Sequence, residues 1–89
     1  MRRYSGGMSE VTRVQLLSRE GCHLCDVARR AVRAVCEPEA VRWSEIDIDI
    51  DRDATLQARY SELVPVVLVD GVQVGYWRID PERIRAALR

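Results

Sequence analysis

The chain has 89 residues, 47% apolar and 31% charged, and its 14 acidic residues balance its 14 basic ones to a formal net charge of +0. That length permits one small domain, which hides only roughly 60–65% of the surface its unfolded chain exposes, so an active site has to lie at a sheet edge or a helix end. The neutral balance speaks against general nucleic-acid binding, which rests on phosphate neutralisation, and no apolar run approaches the roughly 18–20 residues of a bilayer span.

The opening residues Met1-Arg2-Arg3-Tyr4-Ser5-Gly6-Gly7 are basic and lead into no apolar h-region, so they do not read as a secretory signal. Residues 1–10 are expected to form a flexible leader and residues 11–89 the folded domain. A chain that is not exported sits in the reducing cytoplasm, where disulfides are catalytic or transient rather than structural.

Thr12 to Ser18 reads as a first strand, closed by the turn signal Arg19-Glu20-Gly21. From about Cys22 to Cys36 the pattern turns helical, with an expected apolar stripe at Leu24, Ala28, Ala31 and Val35 and with Arg29, Arg30 and Arg33 off it. Glu37-Pro38 ends this helix, because the residue before Pro is steered away from helical geometry. Val41 to Asp49 reads as a second strand. Ile46, Ile48 and Ile50 fall on one face; Asp47, Asp49 and Asp51 fall on a solvated one. Asp53 to Tyr60 reads as a short helix capped by Asp51 or Asp53. Val64 to Val69 is a buried-type strand that tolerates Pro65 because it stands near the beginning. Asp70-Gly71 is the strongest hairpin signal, and Val72 to Trp77 is the return strand. Strand alternation expects one of Tyr76 and Trp77 to cover core; the pair is also a candidate groove lining. Asp80-Pro81 opens a last helix with Ile84, Ala87 and Leu88 inward. The order β-α-β-α-β-β-α predicts an α/β fold with a mixed four-stranded sheet flanked by helices: a parallel crossover joins the first two strands and a hairpin the last two.

Three cysteines, Cys22, Cys25 and Cys36, do not make a disulfide scaffold. A C-x-x-C pair in a βαβ context reads as a redox motif. Cys22 falls at a helix start and Cys25 one turn in, where free amide N–H groups and the positive end of the helix dipole favour a thiolate. Cys22 is then the nucleophile and Cys25 the resolving thiol. Half of a zinc knuckle is the competing account, but Cys36 lies roughly 16 Å along the helix from Cys25, too far to share a metal with it, so no metal is expected. Cys36 reads as a buried helix-end residue. His23 is either an exposed first-turn side chain or, when protonated, a charge that favours the thiolate. Asp47-Ile48-Asp49-Ile50-Asp51 resembles the start of a calcium loop, but Arg52 and Ala58 occupy the positions that need Gly and Glu.

Arg19-Glu20-Gly21-Cys22-His23-Leu24-Cys25 after the first strand, Val64-Pro65-Val66 opening the third, and the Asp70-Gly71 hairpin together resemble a small glutaredoxin-like member of the thioredoxin superfamily, from Thr12 to Leu88. The resemblance implies a thioredoxin fold, a cis Pro65 beside the cysteines, and a Val64 main chain that pairs with an extended substrate. It implies an Arg19 that meets a glutathione carboxylate and a Gly75 in the substrate site, beside His23 and Leu24 between the cysteines. After Gly75 the chain departs from the family pattern: Tyr76 replaces a second Gly, and Arg78 and Ile79 replace an acidic pair. The function expected is a thiol–disulfide oxidoreductase acting as a monomer on disulfide-containing proteins or glutathione mixed disulfides. No cofactor is bound, and electrons come from glutathione or a reductase partner. The alternatives are a thioredoxin-fold protein-binding module with little turnover, and a metal or cluster carrier.

Overall fold

The structure, a computed structural model, describes residues 12–49 and 54–89. Its elements run β1 (Thr12–Ser18), α1 (His23–Cys36), β2 (Arg42–Asp47), α2 (Ala54–Tyr60), β3 (Val66–Val69), β4 (Val72–Tyr76) and α3 (Pro81–Leu88). The sheet order is β2-β1-β3-β4, with β1 parallel to β2 and antiparallel to β3, and β3 antiparallel to β4. The expected leader over residues 1–10, Ile50, and the expected caps Asp51 and Asp53 lie outside the described residues.

The two middle strands divide the core into layers. Val14 and Leu16 of β1 and Val67 and Val69 of β3 face one side, where they pack with Ala28, Val32, Val35 and Cys36 of α1 and Ile84 of α3. Leu17, Val66 and Leu68 face the other side with Ile48, Ile46, Tyr60 and Leu63. Both faces of β3 are therefore covered, which is why it reads as the unbroken apolar run Val66-Val67-Leu68-Val69, while β1 contributes Val14, Leu16 and Leu17 to the two layers. Burying one such side chain contributes about 1.5–3 kcal/mol.

Two expectations shift. The inward face of α1 keeps the expected Ala28, Val35 and Cys36 but takes Cys25 and Val32 in place of Leu24 and Ala31, because Cys25 behaves as a core side chain. The second strand stops at Asp47 rather than Asp49: the Asp47 carboxylate accepts a hydrogen bond from the Asp49 amide at 2.9 Å, a turn that breaks the alternation before Ile50. Ile48 is nonetheless fully buried.

The turns follow their chemistry. Asp70 (φ 52) and Gly71 (φ 84) form a two-residue left-handed turn between β3 and β4. Arg13 donates to both Asp70 carboxylate oxygens, at 3.0 and 2.7 Å, and fastens that turn to β1. Asp80 caps α3 by accepting from the Glu82 amide at 2.9 Å, with Pro81 in the first turn. Among the described residues no helix is long and apolar enough to cross a membrane.

Candidate active site

Gly21, at φ 78, turns the chain from the end of β1 into α1. Cys22 follows in extended geometry (φ −93, ψ 109) and caps the helix: its Sγ accepts a hydrogen bond from the Cys25 amide at 3.1 Å. That amide is one of the donors a helix start leaves without an internal partner, so a sulfur occupies the place usually held by a Ser, Thr, Asp or Asn oxygen. Cys22 and Cys25 form a disulfide with a Cα–Cα distance of 5.2 Å. Cys22 is half-buried, whereas Cys25 is 1% exposed. An incoming thiolate therefore has access to the Cys22 sulfur and not to its partner.

The Val64–Pro65 bond is cis and Pro65 is buried. Register places it: Leu17 pairs with Val66, so Pro65 comes alongside the last residue of β1, at the sheet end from which the Cys22 loop rises. Trp77 braces this segment twice. Its amide donates to the Pro65 carbonyl at 2.8 Å, and its indole Nε1 donates to the Glu62 carbonyl at 3.0 Å. Among the described residues no hydrogen bond engages the Val64 main chain, although its neighbours on both sides are bonded.

A groove of about 660 Å³ opens beside Leu24 and runs past Gly75, Tyr76, Trp77 and Arg78 to Arg83 on α3. Gly75 pairs with Val67, and a Cβ there would meet Ile79 at 3.5 Å, an ordinary contact. Tyr76 and Trp77 stack edge to face and are 44% and 50% exposed. Neither covers core, contrary to the alternation expected of the return strand: β4 ends at Tyr76, and Trp77 takes a left-handed φ of 60 that turns it out of the pleat.

His23 is exposed in the first turn of α1. Arg19 is engaged within the protein. Its guanidinium donates to both Asp49 carboxylate oxygens, at 2.8 and 3.2 Å, and to the Ser61 carbonyl at 3.1 Å, tying the loop before Cys22 to the segments after β2 and α2. Beneath the loop a further network spans three elements. The buried Ser18 hydroxyl donates to Glu45 at 2.7 Å, and Arg29 donates to both Glu45 oxygens at 2.6 Å and to Asp26 at 2.8 Å. Arg29, one turn beyond Cys25, thus ties α1 to β2, and its hydrogen bonds hold the Glu45 carboxyl below the usual carboxylate range. Burial pushes the Cys36 thiol up. Among the described residues no three His, Cys, Asp or Glu side chains converge as a metal site.

The structure brings Cys22, Cys25 and the Val64–Pro65 bond to one end of the sheet and places Leu24 and Gly75 in one groove. The bracing by Trp77, the Arg29–Glu45–Ser18 network and the groove arginines carry no signal in the sequence. Arg29 and Glu45 carried no motif, and their pairing depends on the α1–β2 crossover. A left-handed Trp has no sequence signal.

A family model described as glutaredoxin-like domain (DUF836) matches residues 13–89. The chain belongs to the glutaredoxin-like domain family. An uncharacterized protein of Mycobacterium tuberculosis, Rv0508, is 32% identical over 76 residues, which cover 82% of this chain and 78% of that protein. Among solved structures, protein XcR50 from X. campestris aligns with a TM-score of 0.65 at 34% identity, over 84% of this chain and 93% of that one. A thioredoxin variant from Halobacterium salinarum aligns with a TM-score of 0.61 at 21% identity, over 89% of this chain and 74% of that one. The fold of this glutaredoxin-like protein is the thioredoxin fold, and with a Cys22–Cys25 pair at the start of α1 it supports the thiol oxidoreductase kind of protein.

Proposed function

We propose that this glutaredoxin-like protein reduces protein or glutathione mixed disulfides through Cys22 and Cys25, in the reducing cytoplasm. The observation that carries the reading is the Cys22 sulfur at the cap of α1, bonded by the Cys25 amide and half-buried while Cys25 is fully buried. In the reduced protein that amide and the helix dipole favour a Cys22 thiolate. The thiolate attacks one sulfur of the substrate disulfide; the S–S bond breaks, and the departing sulfur leaves as a thiolate that takes a proton from water. Cys25 then gives its proton to water and attacks Cys22 Sγ, which releases the second substrate sulfur as a thiolate. The substrate gains two electrons and the protein keeps the Cys22–Cys25 disulfide. Glutathione or a thioredoxin-type reductase returns the two electrons.

The Val64 main chain pairs with an extended substrate in this reading, as in strand addition, with Pro65 fixing its direction. Leu24, Gly75 and His23 face the substrate. Arg19, bonded to Asp49 and Ser61, supports the loop, and a substrate carboxylate has to compete with Asp49 to reach it.

Reduction of hydroxyethyl disulfide and of a glutathione mixed disulfide by wild type, Cys22→Ser and Cys25→Ser tests the mechanism. Cys22→Ser abolishes turnover, and Cys25→Ser accumulates a covalent mixed disulfide visible by mass. Full activity in Cys22→Ser refutes the assignment. The exposed Tyr76–Trp77 pair favours a second reading, a protein-binding module with little turnover. An ordinary Cys22 thiol pKa of about 8.5, read from thiolate absorbance, supports that reading instead.

A further inference from the structure

Five of the eleven described arginines spend their charge on carboxylates of the protein itself. Arg13 pairs with Asp70, Arg19 with Asp49, Arg29 with Asp26 and Glu45, Arg33 with Glu37 and Arg85 with Glu82. Arg78 and Arg83 are among the described arginines outside these pairs, and they are the two that line the groove. Both line the groove that begins at Leu24, between the two cysteines, and neither guanidinium makes an ion pair or hydrogen bond with a described residue. The one carboxylate in that lining, Asp80, is committed to the Glu82 amide as the cap of α3. The groove is therefore net positive on a chain whose formal charge is +0. Its wall is the exposed Tyr76–Trp77 pair. Arginine and aromatic side chains together are the composition of protein-recognition surfaces.

We infer that this groove selects acidic protein segments, with Arg78 and Arg83 pairing with carboxylates that flank the disulfide to be reduced. The inference rests on the dithiol reading above and adds a substrate class to it. Two observations favour a protein segment over a small thiol. The groove continues from Leu24 to α3, well past the sulfur that exchange requires, and the aromatic wall offers apolar surface along that path. Exposed ion pairs add little to equilibrium affinity but steer encounter, so the effect falls on the association-limited rate and weakens with salt.

The test uses two peptides with an intramolecular disulfide, identical except for Glu or Gln at the flanking positions. Second-order rate constants are measured for oxidation of the pre-reduced protein. Wild type is expected to prefer the Glu peptide by about tenfold at low salt, and the preference collapses in 1 M salt, where the Debye length is about 3 Å. Arg78→Gln/Arg83→Gln brings the ratio of the two rate constants towards one, and Arg78→Glu/Arg83→Glu inverts it, which a purely structural role does not do. Equal rates for the two peptides with wild type, or a ratio unmoved by these variants, overturn the inference. A larger loss with glutathione disulfide than with the Glu peptide in the Gln variant also overturns it, and assigns the arginines to a small thiol. Hydroxyethyl disulfide, which is uncharged, keeps the two failures apart: no reduction of it by wild type sinks the dithiol reading itself, whereas reduction without peptide discrimination sinks only the substrate class.

Discussion

The two ends of the sheet bend the chain by different means. In the hairpin the left-handed positions fall on Asp70 and Gly71, residue types that accept them at small cost, and Arg13 fastens the turn through Asp70. At the cysteine end an arginine also makes a forked pair, Arg19 with Asp49, but the left-handed position beyond β4 falls on Trp77, a bulky side chain for which it is unfavourable. Trp77 stays there because its amide and indole donate to the Pro65 and Glu62 carbonyls. The hairpin is specified by local preference and the turn at Trp77 by tertiary bonds that overrule it. Conformations held in that way cluster where geometry serves function, so substitutions at the cysteine end should uncouple activity from stability and those at the hairpin end should not.

Trp77 should give the largest effect. Trp77→Ala removes the indole bond to Glu62 and the ring contact with Tyr76, while the left-handed φ remains unfavourable for Ala. The expected loss is about 2 kcal/mol of stability, and kcat/KM for disulfide reduction falls about tenfold because the Val64–Pro65 segment loses one of its two braces. Trp77→Phe isolates the indole bond: it keeps a ring and costs about 1 kcal/mol. Denaturant midpoints and steady-state rates on the same preparations check both. Unchanged activity in Trp77→Ala would remove the functional half of the comparison.

The same contrast explains what the sequence made legible. Each middle strand, the Asp70-Gly71 hairpin and the Asp80-Pro81 helix start is encoded within a few neighbouring residues, so the element order and the mixed sheet could be read directly. The Cys22–Cys25 spacing was likewise local. The face of α1 differs by one residue because Cys25, read for its chemistry, is also a core side chain. The Trp77 brace joins residues 12 to 15 positions apart, and the Ser18–Glu45 bond spans 27. No periodicity reports such bonds, and the groove arginines acquire meaning only once α3 is packed near Leu24.

Glu45 sharpens the comparison through pH. The carboxyl is held low chiefly by its hydrogen bonds from Arg29, with the Ser18 hydroxyl adding to them. A carboxyl lowered in the folded state contributes stability that is fully present above its ordinary value of 4.5 and is lost as pH falls through the folded-state value. Glu45→Gln is therefore expected to destabilise the protein by about 1–2 kcal/mol at neutral pH. The gap to wild type should narrow progressively in acid, read from urea midpoints at falling pH. A gap that persists unchanged below the folded-state value would mean that the network acts through packing and not charge.

The glycines at the two ends offer the smallest change and the cleanest contrast. Gly21 and Gly71 have nearly the same left-handed φ, 78 and 84, and a Cβ built on either meets no atom within 4 Å. Substitution by Ala therefore carries no clash at either place, and its cost is the backbone preference alone, about 1 kcal/mol in both. Stability should not distinguish Gly21→Ala from Gly71→Ala, and paired thermal melts check this. Activity should. Gly21 directly precedes the residue that caps α1, so relaxing its φ moves the Cys22 sulfur relative to the Cys25 amide and raises the thiol pKa of Cys22, which thiolate absorbance against pH measures. Gly71 lies at the opposite end of the sheet, beyond reach of that geometry, and its variant should titrate like wild type. If both variants shift the thiol equally, the cysteine end is not set by its own backbone but by the stability of the whole domain.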